Sequence, residues 1–143
     1  MRKGRSNASS SHDDYSLPRA KILRGRKNFS RLFQRDACVI RETRVDLRFQ
    51  IVDNTSFGCQ MGFIVKKSLG KATKRNRMRR LLKEAYRHHQ HKLTGVLNEL
   101  QVTLHGAFMA KSVGVSYEDV EQDVVMLIEH LCNKDPISGD SKS

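Results

Sequence analysis

Tryptophan is absent from this chain, proline occurs only 2 times and cysteine only 3 times. The cysteines, Cys38, Cys59 and Cys132, are far apart and odd in number, which excludes a disulfide framework and a CxxC zinc site. They read as reduced thiols of a cytoplasmic protein, two on strands and one at a helix end. No apolar run approaches the roughly 18 residues of a membrane span, and no apolar segment follows Arg2, Lys3 and Arg5 as a secretory signal would require. A glycine-rich nucleotide loop is missing as well. Acids are scarce: 15 Asp and Glu stand against 27 Lys and Arg, a formal charge of +12 and a pI near 10.1. A field of that sign calls for a polyanionic partner, nucleic acid before an anionic membrane. No membrane partner and no DNA partner are expected.

The 143 residues suit one domain. Residues 1–16 are polar, serine-rich and aperiodic, and residues 134–143 are similar; both are expected to be mobile tails around a domain at 17–133. Within the domain, Asn28 is placed to cap a short helix carrying Phe29, Leu32 and Phe33 on one face. Residues 37–45 are rich in branched side chains and predict a strand. Leu47, Phe49 and Ile51 then alternate with Arg48 and Gln50, the pattern of a half-buried strand. Residues 53–58 carry turn chemistry. Residues 61–65 predict a third strand, a helix of roughly twenty residues follows Gly70, and residues 101–108 predict a fourth strand. Ser116 opens a last helix with Glu118 and Asp119 in its first turn. Its stripe is Val120, Val124, Leu127, Ile128 and Leu131. The order α-β-β-β-α-β-α makes a two-layer α+β sandwich, helices on a sheet of about four strands.

Residues 66–92 hold 11 of the 27 basic residues and a single acid, Glu84. Helical spacing puts Met78, Leu81, Leu82, Ala85 and Tyr86 on one face. Asn76, Arg79, Arg80, Lys83 and Arg87 gather opposite them. A merely solvated face usually mixes signs, whereas this one accumulates repulsion that a polyanion would relieve. Arginine outnumbers lysine in the helix, and a guanidinium grips phosphate in a bidentate way and stacks on bases. Lys66, Lys67, Gly70 and Lys71 form a basic turn into the helix N-terminus, a natural phosphate position. Lys74 extends the cationic stretch.

The run KSLGKATKRNRMRRLLKEAYR at residues 67–87 resembles the bacterial ribonuclease P protein subunit. That family has a Lys and a Gly before an Ala and an Arg-Asn-Arg core, here Arg75-Asn76-Arg77, followed by a basic pair, leucines and Glu-Ala with Phe or Tyr. Leu17-Pro18-Arg19 with Ile22-Leu23-Arg24, the segment from Asn28 to Phe33, and Ser116-Tyr117-Glu118 are similar to its other landmarks. The resemblance thus covers residues 17–133 in order. It implies a ribosomal protein S5 domain 2-like fold with a left-handed β-α-β crossover, opposite to the usual hand. It also implies a holoenzyme in which an RNA subunit holds the magnesium ions and cleaves the 5′ leader from precursor tRNA, the protein alone being inactive. Lys67, Arg75, Asn76, Arg77, Arg79 and Arg80, joined by Lys71, Lys74, Lys83 and Arg87, would contact RNA. Phe29, Phe33, Arg48 and Gln50 would line a leader-binding cleft between the first helix and the sheet; core packing is the alternative for either phenylalanine. Ser68 stands where many members have a second lysine, and Gln50 where an aromatic is frequent.

Other constellations carry less. His88, His89 and His91 have no cysteine or carboxylate cluster nearby in sequence for a metal site, and read as weak, pH-dependent RNA contacts or solvent-facing groups. Asp13 and Asp14 lie in the tail, where no fixed two-metal site forms, and nothing positions a Ser-His triad. No catalytic residue, metal ligand or protein-bound cofactor is expected. Two alternatives stay open: another binding module, such as a ribosomal protein or DNA-binding helix domain, and a nuclease acting alone. Flanking strands disfavour a helix-turn-helix, and the absence of paired carboxylates disfavours the nuclease.

Overall fold

The computed structural model describes residues 16–52 and 58–133. The tails, with Asp13 and Asp14, and all of the expected turn except Gly58 lie outside them. The elements are α1 (Arg26–Arg31), β1 (Cys38–Arg41), β2 (Val45–Val52), β3 (Gly58–Ile64), α2 (Ala72–Leu100), β4 (Thr103–Ala110) and α3 (Tyr117–Cys132). The four strands form one sheet in the order β1-β2-β4-β3. β1 and β2 are antiparallel, as are β2 and β4, whereas β3 and β4 run parallel and are joined through α2.

α2 and α3 pack side by side on one sheet face. Met78, Leu82, Ala85, Tyr86, Leu93 and Leu97 of α2 and the expected stripe of α3 are all buried there with Leu47, Phe49, Leu104 and Phe108. Tyr86 sits 5.6 Å from Phe108 and 6.0 Å from Phe63, ring centre to ring centre, so one aromatic from α2 wedges against both parallel strands. Leu81 is only half-buried, at the margin of this face.

On the opposite face Leu23, Leu32 and Ala107, with Phe29 and Ile64, form a smaller cluster that seats α1. Gly62 makes the seat possible: a Cβ there would lie 2.5 Å from the Phe29 ring. The chain before α1 runs along the outer edge of β3. Leu23 N donates to Met61 O at 3.1 Å, and the Gln60 amide donates to Ala20 O at 3.0 Å, so an otherwise open sheet edge is covered. Buried Gln90 of α2 ties down the start of that segment by donating to Ser16 O at 3.0 Å.

Several local expectations are corrected. Asn28 does not cap α1; Gly25 holds that position at φ 98, and the Asn28 amide, inside the helix, donates to Arg24 O at 2.8 Å. Phe33 falls beyond the end of α1. Residues 37–45 are not one strand: β1 covers only Cys38–Arg41, the chain turns at 42–44, and Val45 already opens β2. α2 has 29 residues instead of roughly twenty, since Leu93 and Leu97 continue its buried stripe and carry it through exposed Gly95. It stops at Gln101, in the left-handed region at φ 58, so β4 begins at Thr103. Ser116 caps α3 as expected, accepting from Asp119 N at 3.2 Å.

The turn at 42–44 is fixed to α3 by charge. Asp123, 3% exposed, accepts from Arg44 N at 2.7 Å and from its guanidinium at 2.9 Å. Asp123→Ala leaves Arg44 N without its acceptor and the guanidinium with Asp119 alone, and the expected loss is about 2–3 kcal/mol, read as a lower urea midpoint at unchanged slope.

Candidate nucleic-acid interface

The first half of α2 rises out of a short turn at Lys67–Leu69. Arg75 fastens that turn, its Nε donating to Gly70 O at 2.9 Å, while Arg77 reaches the other way to donate to Val115 O before α3 at 3.1 Å. Arg79 donates to Asn76 Oδ1 at 2.6 Å, so the asparagine of the Arg-Asn-Arg core orients a neighbouring cation. Lys67, Lys71, Lys74, Asn76, Arg77, Arg80 and Lys83 are exposed; Arg75 and Arg79 are half-buried. Among the described residues no acid forms an ion pair with any of the cations in this group. Eight positive side chains (these without Asn76) thus crowd the positive end of a helix dipole, an arrangement that raises potential toward an anion.

Arg87 departs from this pattern. Its guanidinium lies 2.7 Å from Glu84 Oε2, and that hydrogen bond holds the Glu84 carboxyl below its ordinary range. His88 lies 3.2 Å from the same carboxylate and 3.4 Å from the Tyr117 hydroxyl, while His89 meets Glu121 at 2.8 Å. His88 and His89 therefore link α2 to α3, with His88 itself exposed to solvent. Among the described residues no three His, Cys, Asp or Glu side chains are gathered as a metal site, and no helix is long and apolar enough to cross a membrane. Burial pushes the Cys59 thiol up to about 12 beside the Tyr86 hydroxyl, far from a reactive thiolate.

Two clefts flank the basic helix. One, of about 420 Å³, joins Phe29, Ile22 and Gly62 to Asn76, Arg79, Arg80 and Lys83. The other, of about 580 Å³, lies between Leu17 and the side chains of Arg77, Arg80, Leu81, Lys83 and Arg87. Tertiary structure thus brings Phe29 to the cationic residues, whereas Phe33 stands apart with Arg48. Phe33 is 46% exposed. The Arg48 guanidinium covers one face of its ring at 4.6 Å and donates to Leu32 O at 3.2 Å. Gln50 follows two residues along β2 on the same face as Arg48. Lys67, Lys71 and Lys74 border neither cleft.

Sequence reasoning did not single out Ile22 as a cleft residue, nor Gln60 and His105 as cross-strand neighbours of Gln50. His105 pairs in register with Gln50 and with Gln60, and only strand order brings the three together. Burial lowers the His105 pKa, with the Arg31 charge adding to the effect.

A four-stranded sheet with a cationic helix spanning its one parallel pair, and a short helix leaving an open strip of the other face, defines a class of small α+β proteins. The family model Ribonuclease P matches residues 17–132, and the chain belongs to that family. The ribonuclease P protein components of two strains of Porphyromonas gingivalis are 37% identical over 76 residues, 53% of this chain and 56% of each relative. The chain thus matches little more than half the length of those relatives. Among solved structures, the Staphylococcus aureus RNase P protein superposes with a TM-score of 0.65 at 13% identity, covering 79% of this chain and 96% of that one. The Thermotoga maritima RNase P protein does so with 0.57 at 20% identity, covering 76% and 96%. At those identities the likeness is one of fold.

A lowered native pKa at His105 carries a sign that can be checked. Between the native value and the ordinary value near 6.5, the unfolded chain holds a proton that the native chain does not, so stability rises with pH there. Acidification through the window just below 6.5 is expected to cost the wild type more than His105→Asn. Urea midpoints across that range measure the difference; parallel curves would refute it.

Proposed function

We propose that this chain is the protein subunit of a ribonuclease P, acting in the cytoplasm with an RNA subunit that carries the catalysis and the magnesium ions. The observation that carries this reading is the cationic first half of α2, whose side chains find no acid among the described residues yet are held in place by Gly70, Val115 and Asn76. A pre-arranged array of guanidinium and ammonium groups binds a folded RNA backbone with little ordering cost and with release of counterions. Lys67, Lys71, Lys74, Arg75, Asn76, Arg77, Arg79, Arg80 and Lys83 take the RNA-facing role. Arg87 contributes less, because Glu84 already engages it.

The substrate in this reading is precursor tRNA, whose unpaired 5′ leader lies on the open strip beside α1. Phe33 offers a ring face for stacking, and Arg48 a charge within reach of phosphate. Phe29, packed on Gly62, holds α1 in place and forms one wall of the cleft shared with Asn76 and Arg79. With Gln50 on the strip in place of an aromatic, stacking is concentrated at Phe33.

The test is cleavage of precursor tRNA at low magnesium by a bacterial ribonuclease P RNA, with and without this protein, beside a protein-only control. Stimulation only when both are present is the expected outcome; cleavage by protein alone, or no stimulation, refutes the proposal. Arg80→Ala and Lys83→Ala should each weaken assembly with the RNA and lower the slope of log affinity against log salt by roughly one. Phe33→Ala should leave assembly intact and reduce the preference for leader-containing over mature tRNA by about tenfold, on the order of one base–aromatic stack.

A further inference from the structure

We infer that Glu84 is a placeholder for RNA phosphate on Arg87: when RNA takes the guanidinium, the carboxylate passes to protonated His88, so RNA binding takes up a proton. This rests on the proposed RNA-facing role of α2 and names a proton-linked contact within it.

Glu84 is the single acid of residues 66–92. It lines the cleft beside Leu17 together with Arg77, Arg80, Lys83 and Arg87. Among the described residues its carboxylate pairs with none of the cations before it and reaches instead to the next turn of the helix. There Arg87 takes both oxygens, with Nε 3.3 Å from Oε1 and Nη2 2.7 Å from Oε2. A carboxylate held in this fork occupies the donors that a phosphate would use. Both side chains are partly exposed, so a polyanion displaces the pair at small cost.

His88 makes that exchange depend on a proton. Its Nε2 lies 3.0 Å from Arg87 Nη2 and 3.2 Å from Glu84 Oε2, and the Tyr117 hydroxyl lies 3.4 Å from Nδ1. A neutral imidazole has one donor and one acceptor nitrogen. With the acceptor toward Arg87, the ring supports the clamp and leaves Nδ1–H to Tyr117. A solvent proton on Nε2 reverses both contacts. Arg87 then meets a second cation at hydrogen-bond distance, and Glu84 gains a charged donor. The Arg87 hydrogen bond holds the Glu84 carboxyl below its ordinary range, so it stays ionised where histidines titrate.

Other titratable and charged groups surround the ring on both helices. From α3 come Tyr117, kept neutral because burial raises its pKa, and Glu121, which His89 meets at 2.8 Å. On α2, His91 and Lys92 follow one turn later. The segment before α1 brings Leu17 to the cleft. When RNA draws Arg87 away, Glu84 is left as a carboxylate beside phosphates, and a proton on His88 offsets that charge. Acid thus loosens the clamp in the free chain and stabilises the bound one. Both effects raise affinity as pH falls.

The test is a double-mutant cycle on the full chain, read as affinity for a bacterial ribonuclease P RNA at several salt concentrations. At about pH 7.5, Glu84→Gln should tighten binding about fivefold and steepen the salt slope by roughly one, because Arg87 is released to a phosphate. In an Arg87→Ala background the same substitution should change affinity by less than about twofold. An equal gain in both backgrounds means that Glu84 merely repels RNA and overturns the inference, as does the absence of any gain. Acidification to about pH 5.5 should tighten wild-type binding about tenfold and that of His88→Asn by no more than about threefold. Parallel curves refute the hand-over. Should Glu84→Gln fail to fold, the comparison with His88→Asn decides alone. Cleavage of precursor tRNA is measured beside binding. Coupling without stimulated cleavage refutes the subunit reading and leaves the hand-over standing. Stimulated cleavage without coupling refutes the hand-over alone, and a chain that does not bind the RNA refutes both.

Discussion

Tyr86 lies against Phe63 of β3 and Phe108 of β4, and this contact sets the rotation of α2 about its own axis. A helix with a buried stripe has one low-energy orientation on a sheet, because turning it by one residue would expose Tyr86 and bury an arginine without a partner. With Met78, Leu82, Ala85 and Tyr86 inward, Asn76, Arg80 and Lys83 have only the solvent side left to them. The interface is thus a consequence of the core. Repulsion among its cations is tolerated because burial of the apolar stripe, continued by Leu93 and Leu97, outweighs it.

A second constraint acts from the other face. Gly62 and Ala107 are small, so α1 can settle onto the sheet through Phe29 and Leu32. Its seat covers one row of the strands and leaves the next row bare. That division separates the two phenylalanines, which the sequence had left open between core and cleft. Phe29 packs on Gly62, and Phe33, past the end of the helix, remains at the surface with Arg48 beneath it.

Much of this was legible beforehand. The stripe of α3, its Ser116 cap, the alternation in β2 and the cationic side of α2 are periodic or local features, and each appears where spacing put it. Other readings failed for physical reasons. Asn28 has a capping side chain, but Gly25 takes the positive φ at which the chain enters the helix. Gly95 favours ending α2 on propensity, yet the helix runs on because Leu93 and Leu97 gain burial against neighbours that no local window contains. Arg87 keeps its place in the cationic sector, with its guanidinium paired to Glu84 three residues before it.

By itself the sequence determined the excess of positive charge, its concentration on one helix, the order of elements and the Arg-Asn-Arg run with its flanks. These depend on composition and on neighbours within a few turns. Tertiary structure alone decided that β3 pairs in parallel with β4, that Gln50, His105 and Gln60 stand abreast, and that Arg77 holds the segment before α3 to the basic helix. The reason is one of range. Helical faces follow from the 3.6-residue period, whereas cross-strand neighbours are chosen by which packing of the whole sheet and its helices buries the most apolar surface.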